Sequence, residues 1–294
     1  VFEHMGAARA TPTASTRGIV DPAAAGGAFE LVRLPTAPDL SDFVERHWIV
    51  RWDLPAGTEF TQVVIPHPNA NVVAEVDGFA AHGIPAGLFE RTLRGRGAVV
   101  GTKLRPGALR ALLSHPDAVR PGVVVPATAV LGPGVTAAGR TAVAAAREGA
   151  DGEAVDAVTP LLRAAAVRAR SPRAVDALPR VADVLAAVVD GALGPSATVG
   201  DLATLAGSST RSLQRLFAHW VGVSPKWVLQ RHRVHLAADL LAADPTRDLA
   251  ELATAVGYYD QAHLGTDFAR VVGATPATFA RRCARSREAL LARA

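Results

Sequence analysis

The sequence predicts an α+β multidomain fold: an N-terminal β-barrel or sandwich-like domain, a helical connector, and a C-terminal all-α domain with two helix-turn-helix units. Three observations carry this. Between residues 29 and 132 short β-branched runs are separated by Pro, Gly and Asn. After Pro133 the chain turns rich in Ala, Leu and Arg. Within the last third, one helical pattern occurs twice. A chain of 294 residues can hold two ordinary domains, each with its own core. With 49% apolar and 20% charged residues, disorder throughout the chain is excluded. A single cysteine, Cys283, excludes an internal disulfide scaffold and a thiol metal cluster, and fits a reducing compartment.

Taken in order, the first 18 residues are small, polar and unpatterned, with no apolar core of an export signal behind them; a flexible terminus is expected over 1–28. The runs FTQVVIP, NVVAEV, RTLRG and GAVVGTKL are expected strands of the β domain, 29–132. Two helical interruptions are expected there, at 38–48, where Phe43, His47 and Trp48 share a helical side, and at 106–114. The connector, 133–178, is expected to hold helices at 135–149, 153–169 and 173–178. Helices are then expected at 179–191, 199–206, 210–219, 225–243, 248–256, 261–271 and 276–284, making a compact domain over 179–284 with a tail at 285–294. No run of 18 uninterrupted apolar residues offers a membrane span, so a cytoplasmic protein is expected.

The duplicated pattern covers residues 198–228 and 247–279. Leu202, Ala203, Gly207, Leu213, Phe217, Gly222 and Pro225 recur as Leu252, Ala253, Gly257, Leu264, Phe268, Gly273 and Pro276, with one extra residue in the second turn. In each copy a short helix ends at a Gly, the chain turns through polar residues, and a second helix starts at a capping Ser209 or Asp260. That is a helix-turn-helix. The face of the second helix opposite its buried Leu and Phe carries Arg211, Gln214 and Arg215 in the first copy, and Gln261, His263 and Thr266 in the second. Such groups reach base edges or phosphates.

Net charge is only +4, from 31 basic and 27 acidic residues, and each half of the chain carries +2. Residues 202–238, however, contain no Asp or Glu while holding Arg211, Arg215, Lys226, Arg231 and Arg233. Acidic residues from Asp239 onward offset this patch. The bland alternative is a solvated face on a protein-binding helical domain; the helix-turn-helix shape favours double-stranded DNA.

The motifs GYYDQAH (257–263) with Phe268 and GATP (273–276), together with SLQRLF (212–217), GVSP (222–225) and Arg233, resemble the C-terminal DNA-binding domain of the AraC/XylS family of bacterial transcription regulators. The resemblance covers 179–284. It implies two helix-turn-helix units joined by a long helix, entering successive major-groove segments. It also implies DNA contacts from Ser209, Arg211, Ser212, Gln214 and Arg215, and from Gln261, Ala262, His263 and Thr266. One departure concerns the second unit, where family members commonly carry Arg at the position of Thr266 and Ser or Thr at that of Gly265. Thr lacks a bidentate guanidinium, and Gly costs about 1 kcal/mol of helix propensity relative to Ala. The second unit is therefore expected to read fewer bases.

Residues 82–113 resemble the N-terminal β domain of one actinobacterial-type branch of these regulators. Arg91, Arg94, Arg96, Lys103, Arg105 and Arg110 lie in a stretch without acidic residues and are the candidates for lining an anionic effector pocket. The alternatives are a solvated β surface and a contact with the helical domain. A homodimer is expected by resemblance, and RNA polymerase is an expected partner. The competing class is a β-domain enzyme, or a sugar- or anionic-metabolite-binding protein, with the helical domain attached for regulation. Against an enzyme, the sequence has no GxGxxG opening a βαβ unit, P-loop, GxSxG or HExxH. A DNA-repair methyltransferase shares this type of helical domain but needs a reactive Cys, and Cys283 sits in the final helix. His67, His82 and Glu75 are an imaginable metal set without the closely spaced His pair that such domains use, so no metal and no cofactor is expected.

Overall fold

The computed structural model describes residues 27–85, 87–113 and 119–291; the flexible terminus expected over 1–28 lies outside them but for its last two residues, as do residue 114 of the expected helix 106–114 and residues 292–294 of the expected tail. The strands are β1 (Glu30–Pro35), β2 (Val44–Asp53), β3 (Glu59–Val64), β4 (Asn71–Glu75), β5 (Gly78–His82), β6 (Phe89–Arg94), β7 (Arg96–Leu104) and β8 (Val124–Pro126). Six of them form one antiparallel sheet in the order β1-β2-β7-β4-β5-β8, and β3 and β6 pair as a separate ribbon.

The sheet is open. Its edges, β1 and β8, do not meet, so the expected barrel is corrected. The physical reason is that helices cover one face. Ile49, Val72, Ala74, Ala81, Ala98 and Val100 on that face are buried, and most are small enough for a helix to lie close. The helices α1 (Ala108–Leu112), α2 (Thr128–Leu131), α3 (Val135–Arg147), α4 (Asp151–Ala169) and α5 (Pro172–Val189) follow. Of these, α3 lies over β4, β5 and β7. Its Gly139 sits where a Cβ would come within 3.0 Å of the Phe79 ring.

The helix expected at 38–48 is also corrected. A single 3₁₀ turn at Pro38–Leu40 is followed by β2, whose residues are held between β1 and β7. Period 2 wins here because His47 and Ile49 point into the helix-covered core while Arg46, Trp48, Val50 and Trp52 point the other way. Helices expected separately at 173–178 and 179–191 are one helix, α5, with Pro179 inside it. Burial of Ala177, Leu178, Val181, Val184, Leu185 and Val188 along one stripe offsets the backbone bond that the proline removes.

The connector is a structural layer of the β domain. Ion pairs Arg51–Asp151, Arg163–Asp39 (2.8 Å) and Arg170–Asp42 (3.1 Å) tie α4 and the residue after it to the strand region. Beyond α5 come α6 (Val199–Leu205), α7 (Thr210–Trp220), α8 (Pro225–Ala243), α9 (Leu249–Ala255), α10 (Gln261–Val272) and α11 (Pro276–Leu291). One buried cluster runs continuously from the sheet through α1–α7 to Val228 and Leu229. A second begins at Val234 and holds α9–α11 together with Ile65 from the β domain. The division between cores therefore falls inside α8.

Candidate nucleic-acid interface

Each helix-turn-helix is assembled by local chemistry. Thr198 caps α6 in a reciprocal capping box with Asp201, whose carboxylate accepts from the Thr198 backbone N–H at 2.8 Å. Asp248 caps α9 by accepting from Ala250 and Glu251, both at 2.9 Å. The turn is four residues long in the first unit (206–209) and five in the second (256–260), matching the extra residue in the sequence alignment. Gly257 has φ +80°, and a Cβ there would lie 2.2 Å from the carbonyl oxygen of Pro195, so both conformation and space require glycine.

In the first unit Ser209 caps α7, accepting from Ser212 N–H at 3.1 Å and donating to the Ser212 hydroxyl at 2.9 Å. Leu213, Phe217 and Trp220 point inward, while Arg211, Ser212, Gln214 and Arg215 share the exposed side. Neither Arg211 nor Arg215 forms an ion pair with a described residue. In the second unit Asp260 caps α10 by accepting from His263 N–H at 2.7 Å, and Gln261, Ala262, His263 and Thr266 are exposed. The Thr266 hydroxyl donates to the Ala262 carbonyl at 3.0 Å, which leaves it only acceptor capacity. The His263 ring stands edge-on to Tyr258 at 5.1 Å, with its Nε2 4.0 Å from Asp267.

Sequence reasoning missed the group beneath this second surface. Asp267 is buried and accepts from the Tyr258 hydroxyl (3.2 Å), from Gln230 (3.4 Å) and from Arg270. Burial first, and the Asp267 charge second, push the Tyr258 phenol above its ordinary range, so it stays a donor. The signal was present as Tyr258 of GYYDQAH standing nine residues before Asp267. Tyr259, 93% exposed, stands just before the Asp260 cap and was likewise missed.

The acid-free patch is smaller than its sequence count. Arg231 is buried over the Trp227 ring at 4.5 Å, and burial lowers its pKa to about 10. Arg233 donates to the carbonyls of Pro195 (2.9 Å) and Ala197 (2.8 Å). Arg211, Arg215 and Lys226 are the exposed cations that remain of the five.

A second feature lies in the β domain. Between the uncovered face of the sheet and the β3–β6 ribbon is a cavity of about 430 Å³. Of the six cations expected to line an effector pocket, Arg91 and Lys103 do so. Arg94 and Arg96 are exposed and paired with Glu59 (2.6 Å) and Glu148 (3.7 Å). Arg105 donates to the Ser41 carbonyl, and Arg110 lies on α1. Alternation along β6 and β7 turns neighbouring cations to opposite sides, which a count along the chain does not register. Arg33 and Arg46 line the cavity and were missed, Arg46 because its strand was read as a helix.

His67, Glu75 and His82 all border this cavity, but His67 stacks on His235 of α8 (4.3 Å between rings) and Glu75 pairs with Arg91 (2.6 Å). Among the described residues no group of three His, Cys, Asp or Glu is arranged to hold a metal ion. No described helix is long and apolar enough to cross a membrane.

Residues 202–282 match a family described as a helix-turn-helix domain, and residues 32–119 match a domain of unknown function, DUF6597. No curated protein matches the chain. Among solved structures, similarity extends to a transcriptional regulator with an AraC-type DNA-binding domain from Chromobacterium violaceum (19% identity, 37% of this chain and 96% of that one, TM-score 0.33). It extends also to the C-terminal domain of AraT, a response regulator from Geobacillus stearothermophilus (25%, 35% and 85%, TM-score 0.33). ToxT from Vibrio cholerae is 9% identical over 86% of this chain and 98% of its own, with a TM-score of 0.37. The chain thus joins a β-rich N-terminal domain to a C-terminal helix-turn-helix domain.

Proposed function

We propose that the protein is a sequence-specific DNA-binding transcription regulator of AraC/XylS type. In this reading α7 and α10 enter successive major-groove segments. The observation that carries it is the repeated helix-turn-helix with exposed polar groups at matching places: Ser209, Arg211, Ser212, Gln214 and Arg215 on the first unit, Gln261, Ala262, His263 and Thr266 on the second. Arg211 and Arg215, without acidic partners among the described residues, are suited to bidentate recognition of guanine or to phosphate contact. Tyr259 is a further contact beside the second unit.

The division of labour is a β domain over 29–132 that senses an effector and supports a homodimer, a connector over 133–178, and a reading domain over 179–284. The β domain is of the kind found in an actinobacterial-type branch of these regulators. The effector site is the cavity, with Lys103 and Arg91 the two expected cations that border it. The protein works in the cytoplasm on double-stranded DNA, with RNA polymerase as its partner, and performs no catalysis itself.

Selection of bound sequences from a random duplex library with the purified protein tests this. A reproducible motif with two parts about one helical turn apart is expected. Binding without preference, lost uniformly as salt rises, overturns the reading.

A further inference from the structure

We propose that the β-domain cavity takes an elongated, flat, apolar carboxylate. This rests on the reading of the cavity as an effector site and adds the chemical class of the ligand. The cavity is polar at one end and aromatic along its length. On β2, Arg46, Trp48, Val50 and Trp52 follow one another on the cavity side, so a cation is succeeded by an apolar strip roughly 13 Å long. On β7, Lys103 stands directly opposite Arg46, while Gly101 and Gly97 stand opposite Trp48 and Trp52.

The two glycines make the floor flat. A Cβ on Gly101 would lie 2.0 Å from the Trp48 ring, and one on Gly97 2.3 Å from the Trp52 ring. Both indoles therefore lie down on the backbone of β7 instead of standing into the cavity. Their N–H groups pin them there: Trp48 donates to Asn71 at 3.1 Å and Trp52 to the Arg94 carbonyl at 3.0 Å. Val64, Phe89 and Leu93 of the ribbon face this floor. A slot between an indole floor and an apolar roof fits planar rings or an extended chain.

The charged end is positive in excess. Arg46 and Lys103 share one oxygen of Glu45, at 3.0 and 2.9 Å, and the other oxygen of Glu45 accepts from Asn69 at 3.2 Å. Two largely buried cations against one carboxylate leave one positive charge uncompensated within that cluster. Burial, ahead of the attraction to Glu45, pulls the Lys103 ammonium below its ordinary value. A bound carboxylate supplies the missing charge where desolvation makes it count most. At the far side Arg91 is already matched by Glu75, so the cavity has one end for an anion.

Calorimetric titration of the full-length protein with 4-phenylbenzoate, beside its neutral isostere 4-phenylbenzyl alcohol, tests the proposal. The carboxylate is expected to bind at least tenfold more tightly. Lys103→Met should abolish that preference, and Gly101→Ala, which raises the Trp48 ring into the slot, should weaken both ligands at least tenfold. Equal or tighter binding of the alcohol, or binding of neither, overturns the ligand class, and the wild-type comparison decides this even if a variant fails to fold. Affinity for the selected DNA is read in the same samples. Carboxylate binding that leaves DNA affinity unchanged overturns the effector reading but keeps the ligand class.

Discussion

The two helix-turn-helix units share one backbone plan and differ in what holds them and what they expose. The first unit is continuous with the core that fills the space between sheet and connector, through Leu202, Leu213, Phe217 and Trp220. The second packs around Leu252, Leu264, Phe268 and Phe279, and meets the β domain through Ile65, with Val63 and Leu88 beside it. On the surface, the first offers two arginines without acidic partners among the described residues. The second offers a histidine set against Tyr258 and Asp267 and a threonine bonded to its own helix. A duplicated motif thus conserves the geometry of presentation while anchoring and charge diverge.

The sharpest way to break this comparison is to hollow each core. Phe217 and Phe268 are both fully buried, and each change to Ala is expected to cost about 3–5 kcal/mol. Hydrogen exchange separates them: Phe217→Ala should raise exchange in α3–α7 as well as α8, whereas Phe268→Ala should raise it in α9–α11 and leave α3–α5 protected. Matching exchange patterns would dissolve the distinction between the two cores.

Acid probes the two cores through their histidines. Burial lowers His47, in the sheet-connector core, to about 4, and burial followed by the neighbouring His67 holds His235 well below its ordinary value. The unfolded chain therefore binds protons that the folded one refuses, and stability falls as pH drops from about 6.5. For His47 the loss is complete near pH 4 and on the order of 3 kcal/mol. Denaturant titrations between pH 7 and 4 should show this decline, and His47→Gln should flatten it; a pH-independent midpoint contradicts the assignment.

The recognition surfaces come next in size. Arg215→Ala is expected to weaken binding to the selected DNA by about 1–3 kcal/mol, near tenfold to a hundredfold. Thr266→Ala should change it less than threefold, because the hydroxyl is already committed to Ala262. Equal losses in a mobility-shift titration would cancel the asymmetry between the units.

The helix-turn-helix units were legible in the sequence because their determinants are local: capping Ser209 and Asp260, turn glycines, and Leu and Phe at fixed spacing. The open sheet was not, because alternation in a strand says that a face is buried and not by what. The region at 38–48 misled for a related reason, since Phe43, His47 and Trp48 satisfy a helical spacing while Arg46, Trp48, Val50 and Trp52 satisfy period 2. Only pairing with β1 and β7 decides between them. The cavity depends on Arg46 facing Lys103 across strands 57 positions apart, a register that no local pattern encodes.

The passage of α8 from one core into the other sets a limit on how the chain can vary in length. Val228 and Leu229 belong to the first core and Val234, Ala237 and Leu241 to the second, within one unbroken helix. One residue added at 230–233 turns everything beyond it by about 100° and advances it by about 1.5 Å. That swings Val234 out of the second core and re-aims α10 relative to α7 at a single stroke. The loop at 190–194, ahead of the Pro195 and Ala197 carbonyls that Arg233 holds, has no such gearing and absorbs extra residues without turning either unit. Across descendants of this chain, insertions and deletions should therefore gather in that loop and be purged from the middle of α8, so the helix acts as a fixed ruler between the two reading heads.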